Sequence, residues 1–175
     1  NHIFFGSFAR NTKIRPLDDI DIMIMFDAQG CTTDDVAKKI RKTYPIYVNN
    51  PDAKLLSDYC DGNILNSRRM IEAIKKELGN IPRYSKAEIH RNQEAVTLQL
   101  SSYEWNFDIV PCFYTATGFY VIPDGKGSWK GTDPRIDQNR VTQANQWVNG
   151  KLLPAIRLMK YWKKEHWGNE VSSYL

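Results

Sequence analysis

The chain has 175 residues, 42% of them hydrophobic and 25% charged, with a formal net charge of +4. That length suits one compact domain burying roughly 70% of its unfolded-chain surface, and the composition is that of an ordinary globular protein. No run approaches the ~20 apolar residues of a membrane-spanning helix, the polar stretch from Gly6 to Asp21 does not read as a secretory signal, and the mild positive charge suits anionic ligands such as nucleotides without marking a dedicated nucleic-acid binder.

In chain order, His2 to Phe5 predicts a short buried strand ended by the Gly6-Ser7 turn, with Ser7 as N-cap of a short helix over Phe8 to Asn11. Ile20, Ile22, Ile24 and Phe26 then alternate with Asp19, Asp21, Met23 and Met25, the period of a strand whose faces differ. Thr32 or Thr33, followed by Asp34-Asp35, opens a predicted helix to about Thr43. Tyr44 to Asn63, with Pro45, Pro51 and Gly62, reads mostly as loop. Met70, Ile71, Ile74 and Leu78 recur at helical spacing over Asn66 to Leu78, stopped by Gly79. Strands are predicted over Ala87 to His90, Ala95 to Leu100, Trp105 to Phe113 and Phe119 to Ile122. A loop from Gly125 to Pro134 leads to helices over Gln138 to Val148 and Leu152 to Lys164. Trp105, Trp147, Trp162 and Trp167 are expected to pack in a core or between lobes.

This order is a mixed α/β pattern with the sheet first and helices last. A catalytic core over residues 1–132 and the beginning of a helical lobe over 133–175 are expected. The absence of an initial methionine and the apolar Tyr174-Leu175 end suggest a piece of a longer protein. Cys31, Cys60 and Cys112 are scattered, with no CxxC pair and no histidine at zinc-site spacing; reduced thiols in a cytoplasmic protein are the expectation.

The chemistry concentrates in carboxylates. Asp19 and Asp21, two apart on a strand, project from the same face with Ile20 and Ile22 behind them. Their mutual repulsion is relieved by a cation, and magnesium, or manganese in its place, offers hard coordination with positions left for phosphate oxygens. Asp108, between apolar Phe107 and Ile109 on a second strand, is an acid that needs a partner there. With two metals about 4 Å apart, Asp19 and Asp21 would bridge both ions, and Asp108 would hold the ion on the nucleophile side and take the proton. Gly6, lacking a side chain, lets backbone N–H groups approach a triphosphate, and Ser7 adds a hydroxyl donor. Taken singly, a Gly-Ser turn, a surface Asp-x-Asp pair or a salt-bridged aspartate is more often structural; their joint occurrence in this order is what argues for a site. Gly125 to Gly131 does not match a phosphate-binding P-loop and reads as a surface loop on the acceptor side. Lys38-Lys39, Arg41-Lys42 and Arg68-Arg69 are solvated helix faces or a nucleic-acid track, an alternative the sequence leaves open.

With these residues in view, Gly6-Ser7-Phe8-Ala9-Arg10-Asn11-Thr12-Lys13-Ile14-Arg15-Pro16-Leu17-Asp18-Asp19-Ile20-Asp21 resembles the signature of the polymerase-β-type nucleotidyltransferases. More closely it is similar to the cGAS/DncV-like bacterial CD-NTases of the SMODS type. Phe107-Asp108-Ile109-Val110-Pro111 looks like that family's third-carboxylate strand. Ile122-Pro123-Asp124 with Trp129, Thr132, Asp133 and Pro134, then Leu158 to Trp162 and Ser172-Ser173-Tyr174, follow in the family's order. The resemblance implies a polymerase-β-like core with a mixed sheet and the start of a helical second lobe. It implies a synthase of cyclic di- or oligonucleotides from NTPs, ATP among them, releasing pyrophosphate in bacterial anti-phage signalling and passing its product to a separate effector. It also implies that Lys160 contacts the donor triphosphate, Ser173 hydrogen-bonds a phosphate and Tyr174 stacks on the donor base, roles that suit a mobile charge and an aromatic face. An RNA-tailing or linear-oligonucleotide transferase, and a catalytically silent nucleotide- or RNA-binding module, remain the alternative readings.

Overall fold

In the computed structural model the described residues are 1–33 and 43–167. The organising element is a seven-stranded mixed sheet. β1 (His2–Phe4) pairs antiparallel with β2 (Asp19–Met25), which pairs in parallel with the long β9 (Asn106–Tyr114). The far edge of β9 is shared. β8 (Ala95–Gln99), joined to β7 (Glu88–Asn92) in a hairpin, pairs with its first half, and β10 (Tyr120–Pro123) pairs with its end, followed by β11 (Trp129–Thr132).

Pro111 lies inside this central strand and is fully buried. Proline cannot donate to a ladder, so a place between paired strands is ordinarily closed to it. Asn106 N donates to Asp18 O and Phe26 N to Cys112 O, so the even positions of β9 turn their backbone groups toward β2. Pro111 therefore faces the other edge, after β8 has ended and before β10 begins. The proline sits where no N–H is wanted, and the strands part there.

The two faces of the sheet bury different clusters. Met23, Ala95, Val110, Cys112, Tyr120 and Ile122 pack on one, and Val96, Leu98 and Ile109 with Ile71 on the other. The second face is covered by a long helix, Ser67–Gly79, capped by Asn66, whose side chain accepts from Arg68 N and Arg69 N. Met23 is 0% exposed although it shares the face of Asp19 and Asp21. That face is thus apolar at one end and acidic at the other, rather than polar throughout.

Several expectations are corrected. The strand expected over His2 to Phe5 is the edge strand β1, ending at Phe4 and leaving Phe4 exposed rather than buried, because among the described residues only β2 flanks it. The Gly6–Ala9 helix, α1, starts before Ser7, with Phe5 at the cap position and no side-chain cap, so Ser7 is not the N-cap. Thr32–Thr33 form the short strand β3 rather than a helix start, and the rest of that expected helix lies outside the described residues. Tyr44 to Asn63 is mostly loop, as expected, but short elements punctuate it. It holds β4 (Ile46–Tyr47), the short helix α2 (Lys54–Ser57) and β5 (Cys60–Asp61), which with β6 (Ile64–Leu65) and β3 make a second small sheet in the order β3-β4-β6-β5. The Ser67–Gly79 helix is α3 in chain order. Inside the loop expected over Gly125 to Pro134 lies β11, anchored by Trp129, which is 0% exposed and donates its indole N–H to Leu65 O at 2.9 Å.

That bond joins the small sheet to the large one within a cluster containing Ile46, Leu56, Leu65, Met70, Phe113 and Val121. Trp129→Phe keeps a ring there but leaves the Leu65 carbonyl unpaired. It is expected to lower stability by about 1–3 kcal/mol. Urea unfolding should show an earlier midpoint with unchanged slope; an unchanged midpoint would mean the indole bond contributes nothing.

After the sheet come α4 (Pro134–Trp147), with Asp133 as N-cap, and α5 (Leu152–Trp167). Neither contributes a buried residue, and Trp147, Trp162 and Trp167 stay exposed among the described residues, although Trp162 stacks on His166 and meets Trp167. Trp105 is half-buried and its indole N–H has no hydrogen-bond partner among the described residues. Among the described residues no helix is long and apolar enough to cross a membrane.

Candidate active site

The register of the central strands places the acids. In the parallel β2–β9 pair Asp21 stands directly opposite Asp108, and Asp19 opposite Asn106. Neighbouring strands lie about 4.8 Å apart, and directly opposed residues share a face, so the carboxyl groups of Asp21 and Asp108 emerge side by side. β8 extends the same rows, with Thr97 opposite Asp108 and Gln99 opposite Asn106. The Thr97 hydroxyl donates to Asp108 Oδ1 at 2.6 Å.

Asp21 carries the electrostatic signature of this crowding. Burial, then the neighbouring charges of Asp19 and Asp108, push its pKa up from 3.8 to about 6. Gly6 closes against it. The chain leaves β1 with Gly6 at φ +67, and a Cβ there would lie 1.8 Å from Asp21 Oδ2. Glycine is therefore required both by the backbone angle and by the carboxylate that occupies the space of a side chain. Ser7 follows within α1, where its carbonyl accepts from both the N–H and the hydroxyl of Thr12, tying off the turn.

Asp19 has a different neighbour. The Lys13 ammonium bridges Asp18 and Asp19. Burial works against its charge, but hydrogen bonds to both acids outweigh that and hold its pKa above the ordinary value. Burial likewise opposes the charge of Asp18, yet the Lys13 hydrogen bond brings its pKa below the usual carboxylate range. Among the described residues no three His, Cys, Asp or Glu side chains converge tightly enough to cage an ion as they stand. The donor set nevertheless suits a hard divalent cation: Asp21 and Asp108 stand in register, Asp19 lies two residues from Asp21, and the half-buried Asp21 is repelled by the other two.

Positive charge rings the other side. Lys160, on α5, is half-buried, and its pKa is lowered by burial and then by Arg10 and Lys13, against the attraction of Asp18 and Asp19. α5 is held there by Arg157, whose guanidinium donates to Asn11 O at 3.3 Å. Cations this close to one another favour an anion between them. Where β8 and β10 part, a cleft of about 330 Å³ opens over Asp21 and Asp108. It is lined by Phe5, Val110 and Ile122 below and by Asn92, Gln93, Glu94 and Lys130 at the rim, with Lys130 paired to Glu94.

The structure thus brings Asp19, Asp21, Asp108, Gly6 and Lys160 to one end of the sheet, with Ser7 beside Gly6. Ser173 and Tyr174 lie outside the described residues, as do Lys38, Lys39, Arg41 and Lys42. Arg68 and Arg69 are engaged structurally, the first with Gly125 O and the second with Asp61, and do not form a free basic track. Sequence reasoning missed Lys13, Arg10 and Arg157 as members of the site. Lys13 was signalled only by its place in the run leading to Asp19. Lys130 and Glu94 carried no signal, because a hairpin and a distant strand bring them together.

Residues 39–145 match the Second Messenger Oligonucleotide or Dinucleotide Synthetase domain, SMODS. A protein of Bacillus cereus (strain VD146) named probable cyclic nucleotide synthase is 51% identical over 178 residues, covering 99% of this chain and 52% of the relative. A cyclic AMP-AMP-AMP synthase of Acinetobacter sp. (strain ATCC 27244 / 9458) is 23% identical, covering 94% of this chain and 40% of that protein. The structure of E. coli MS115-1 CdnC with ATP superposes with a TM-score of 0.57 at 17% identity over 94% of this chain and 43% of the other. The chain spans about half the length, or less, of the curated relatives it matches. The fold is the mixed α/β nucleotidyltransferase fold of CdnC, and by the match over most of its length the chain belongs to the SMODS family of second messenger oligonucleotide or dinucleotide synthetase domains.

Proposed function

We propose that this chain is the catalytic part of a nucleotidyltransferase that joins NTPs into a cyclic di- or oligonucleotide with release of pyrophosphate. The observation that carries the reading is the register of Asp21 against Asp108, with Asp19 on the same face and a cationic cluster of Lys160, Arg10 and Lys13 beside them. The B. cereus and Acinetobacter relatives, named for cyclic nucleotide synthesis, support it.

Asp21 and Asp108 would hold a divalent cation, with Asp19 joining them on release from Lys13. When bound, magnesium or manganese supplies charge neutralisation at the phosphates and acidifies the attacking hydroxyl. Asp108 lies toward the β8 side of the cleft, where it accepts the proton of the acceptor's ribose hydroxyl. Gly6 leaves the floor of the site open to a phosphate chain. Lys160 and Lys13 stabilise the pyrophosphate as charge builds on it. Ser173 and Tyr174 complete the donor site, a role that rests on the resemblance alone. The cleft between β8 and β10 receives the acceptor nucleotide, and a second transfer closes the ring. The product then acts on a separate effector in anti-phage signalling, within a cytoplasm that keeps Cys31, Cys60 and Cys112 as thiols.

The direct test incubates the full-length protein with α-labelled NTPs and magnesium, treats the mixture with phosphatase and resolves the products. A phosphatase-resistant cyclic species is expected. Template-free extension of an RNA primer in its place would assign a tailing transferase, and labelled NTP bound but never turned over would assign a silent binding module. Within the proposed reaction, Lys160→Met should lower kcat/KM for the donor NTP about tenfold, the loss of one charge-assisted phosphate contact. Initial rates of pyrophosphate release measure it, and an unchanged kcat/KM would remove Lys160 from the donor site.

A further inference from the structure

Thr97 is 3% exposed, one of few buried polar residues in the sheet. It lies on β8 between Val96 and Leu98, which point to the opposite face and pack with Ile71 and Ile109. A buried threonine in such a strand is isosteric with valine, so its hydroxyl needs a partner to justify its desolvation. That partner is Asp108 Oδ1, at 2.6 Å.

The strand geometry favours this contact. Since β9 turns the backbone groups of its even positions toward β2, Asp108 meets Thr97 as a non-hydrogen-bonded antiparallel pair. In such pairs the Cα atoms approach to about 4.5 Å and the side chains are closest. A carboxylate otherwise rotates freely, because the terminal torsion of aspartate is broad and two-fold. With Oδ1 engaged by Thr97, that torsion is set and Oδ2 is left for the cleft that Asp108 lines.

We propose that Thr97 is the positioning residue of the site, fixing the carboxylate plane of Asp108 so that one oxygen is committed to the protein and the other to the reaction. The inference rests on the nucleotidyltransferase reading for its catalytic consequence, but not for its structural one. Partners of this kind behind a ligating or proton-accepting group typically matter by 10–100-fold.

The test uses the full-length protein and compares Thr97→Val, which removes the hydroxyl at constant shape, with Thr97→Ser, which keeps it. Crystal structures of the wild type and both variants read the Asp108 plane. Thr97→Val should rotate it or scatter it over two orientations, and Thr97→Ser should retain the wild-type plane. In pyrophosphate-release assays Thr97→Val should lower kcat roughly 10–100-fold with KM for NTP nearly unchanged, and Thr97→Ser should recover most of the rate. Manganese binding without nucleotide should weaken in the valine variant only. An unmoved Asp108 carboxylate in Thr97→Val, or equal losses in both variants, would overturn the proposal. A wild type that turns over no NTP would instead overturn the functional reading, while the carboxylate orientation would still decide the role of Thr97.

Discussion

Asp21→Asn is expected to reduce nucleotide transfer by roughly 10³-fold while leaving the metal-free protein at least as stable as the wild type, an opposition that few core positions would produce. The reason is the placement of the side chain. Asp21 is half-buried opposite Asp108 and two residues from Asp19, and these surroundings raise its pKa to about 6. A carboxyl group whose folded pKa lies above its unfolded value binds a proton more tightly in the folded state. Its ionisation therefore opposes folding fully above pH 6, progressively less as pH falls from about 6 toward 3.8, and not at all below that. Metal-free wild type should accordingly lose stability as pH rises through that window, by about 1–2 kcal/mol once solvent screening is allowed for. Asp21→Asn should abolish this part of the pH dependence. Magnesium should raise the wild-type melting temperature at pH 7.5 and leave that of the variant nearly unmoved. Differential scanning calorimetry at several pH values, with and without the ion, measures all of this. A wild type whose stability is flat between pH 4 and 6.5 and indifferent to magnesium would remove the cation from the site.

Gly6→Ala should have the second largest effect, and it should fall more heavily on activity than on folding. An alanine at φ +67 costs about 1–2 kcal/mol by itself. Its Cβ would meet Asp21 Oδ2 at 1.8 Å and Cγ at 2.6 Å, so the carboxylate must swing away from the turn or the turn must open. Either outcome moves Asp21 out of register with Asp108, and displacements near 1 Å in a reacting constellation cost about 10²-fold. Gly62 offers the control, with φ +63 and nothing within 4 Å of a Cβ. Gly62→Ala should show the backbone cost alone, with full activity. Rates and urea midpoints of the two variants separate strain from displacement, and equal activity in both would mean that the close approach of Gly6 to Asp21 has no part in catalysis.

The elements legible in advance were those with long, regular patterns. β2 alternates over seven residues, α3 repeats its apolar positions over three turns, and β8, β9 and β10 are apolar runs bounded by turn residues. The small sheet was not legible, because strands of two residues carry no period and exist only through partners such as Thr32 with Tyr47 and Cys60 with Leu65. β11 was hidden for a related reason. Its glycine-rich surroundings signal a loop, and only the pocket formed by Leu65, Phe113 and Val121 makes Trp129 a buried anchor. The exposed aromatics of α4 and α5 show the converse, since their sequence promises burial that the described residues do not supply.

Short segments fix local features: which acids stand on strands, on which face of those strands they project, and where glycine must turn the chain. Side-chain alternation and backbone sterics act over a few residues and can be read from a few residues. Which of those groups meet is settled by the fold. The parallel register sets Asp21 against Asp108, a lysine in the intervening loop takes Asp19, and a helix from the far end of the chain delivers Lys160. Pairing between distant segments is selected by the packing of the whole sheet, and charges placed by that packing acquire energies that no single segment contains.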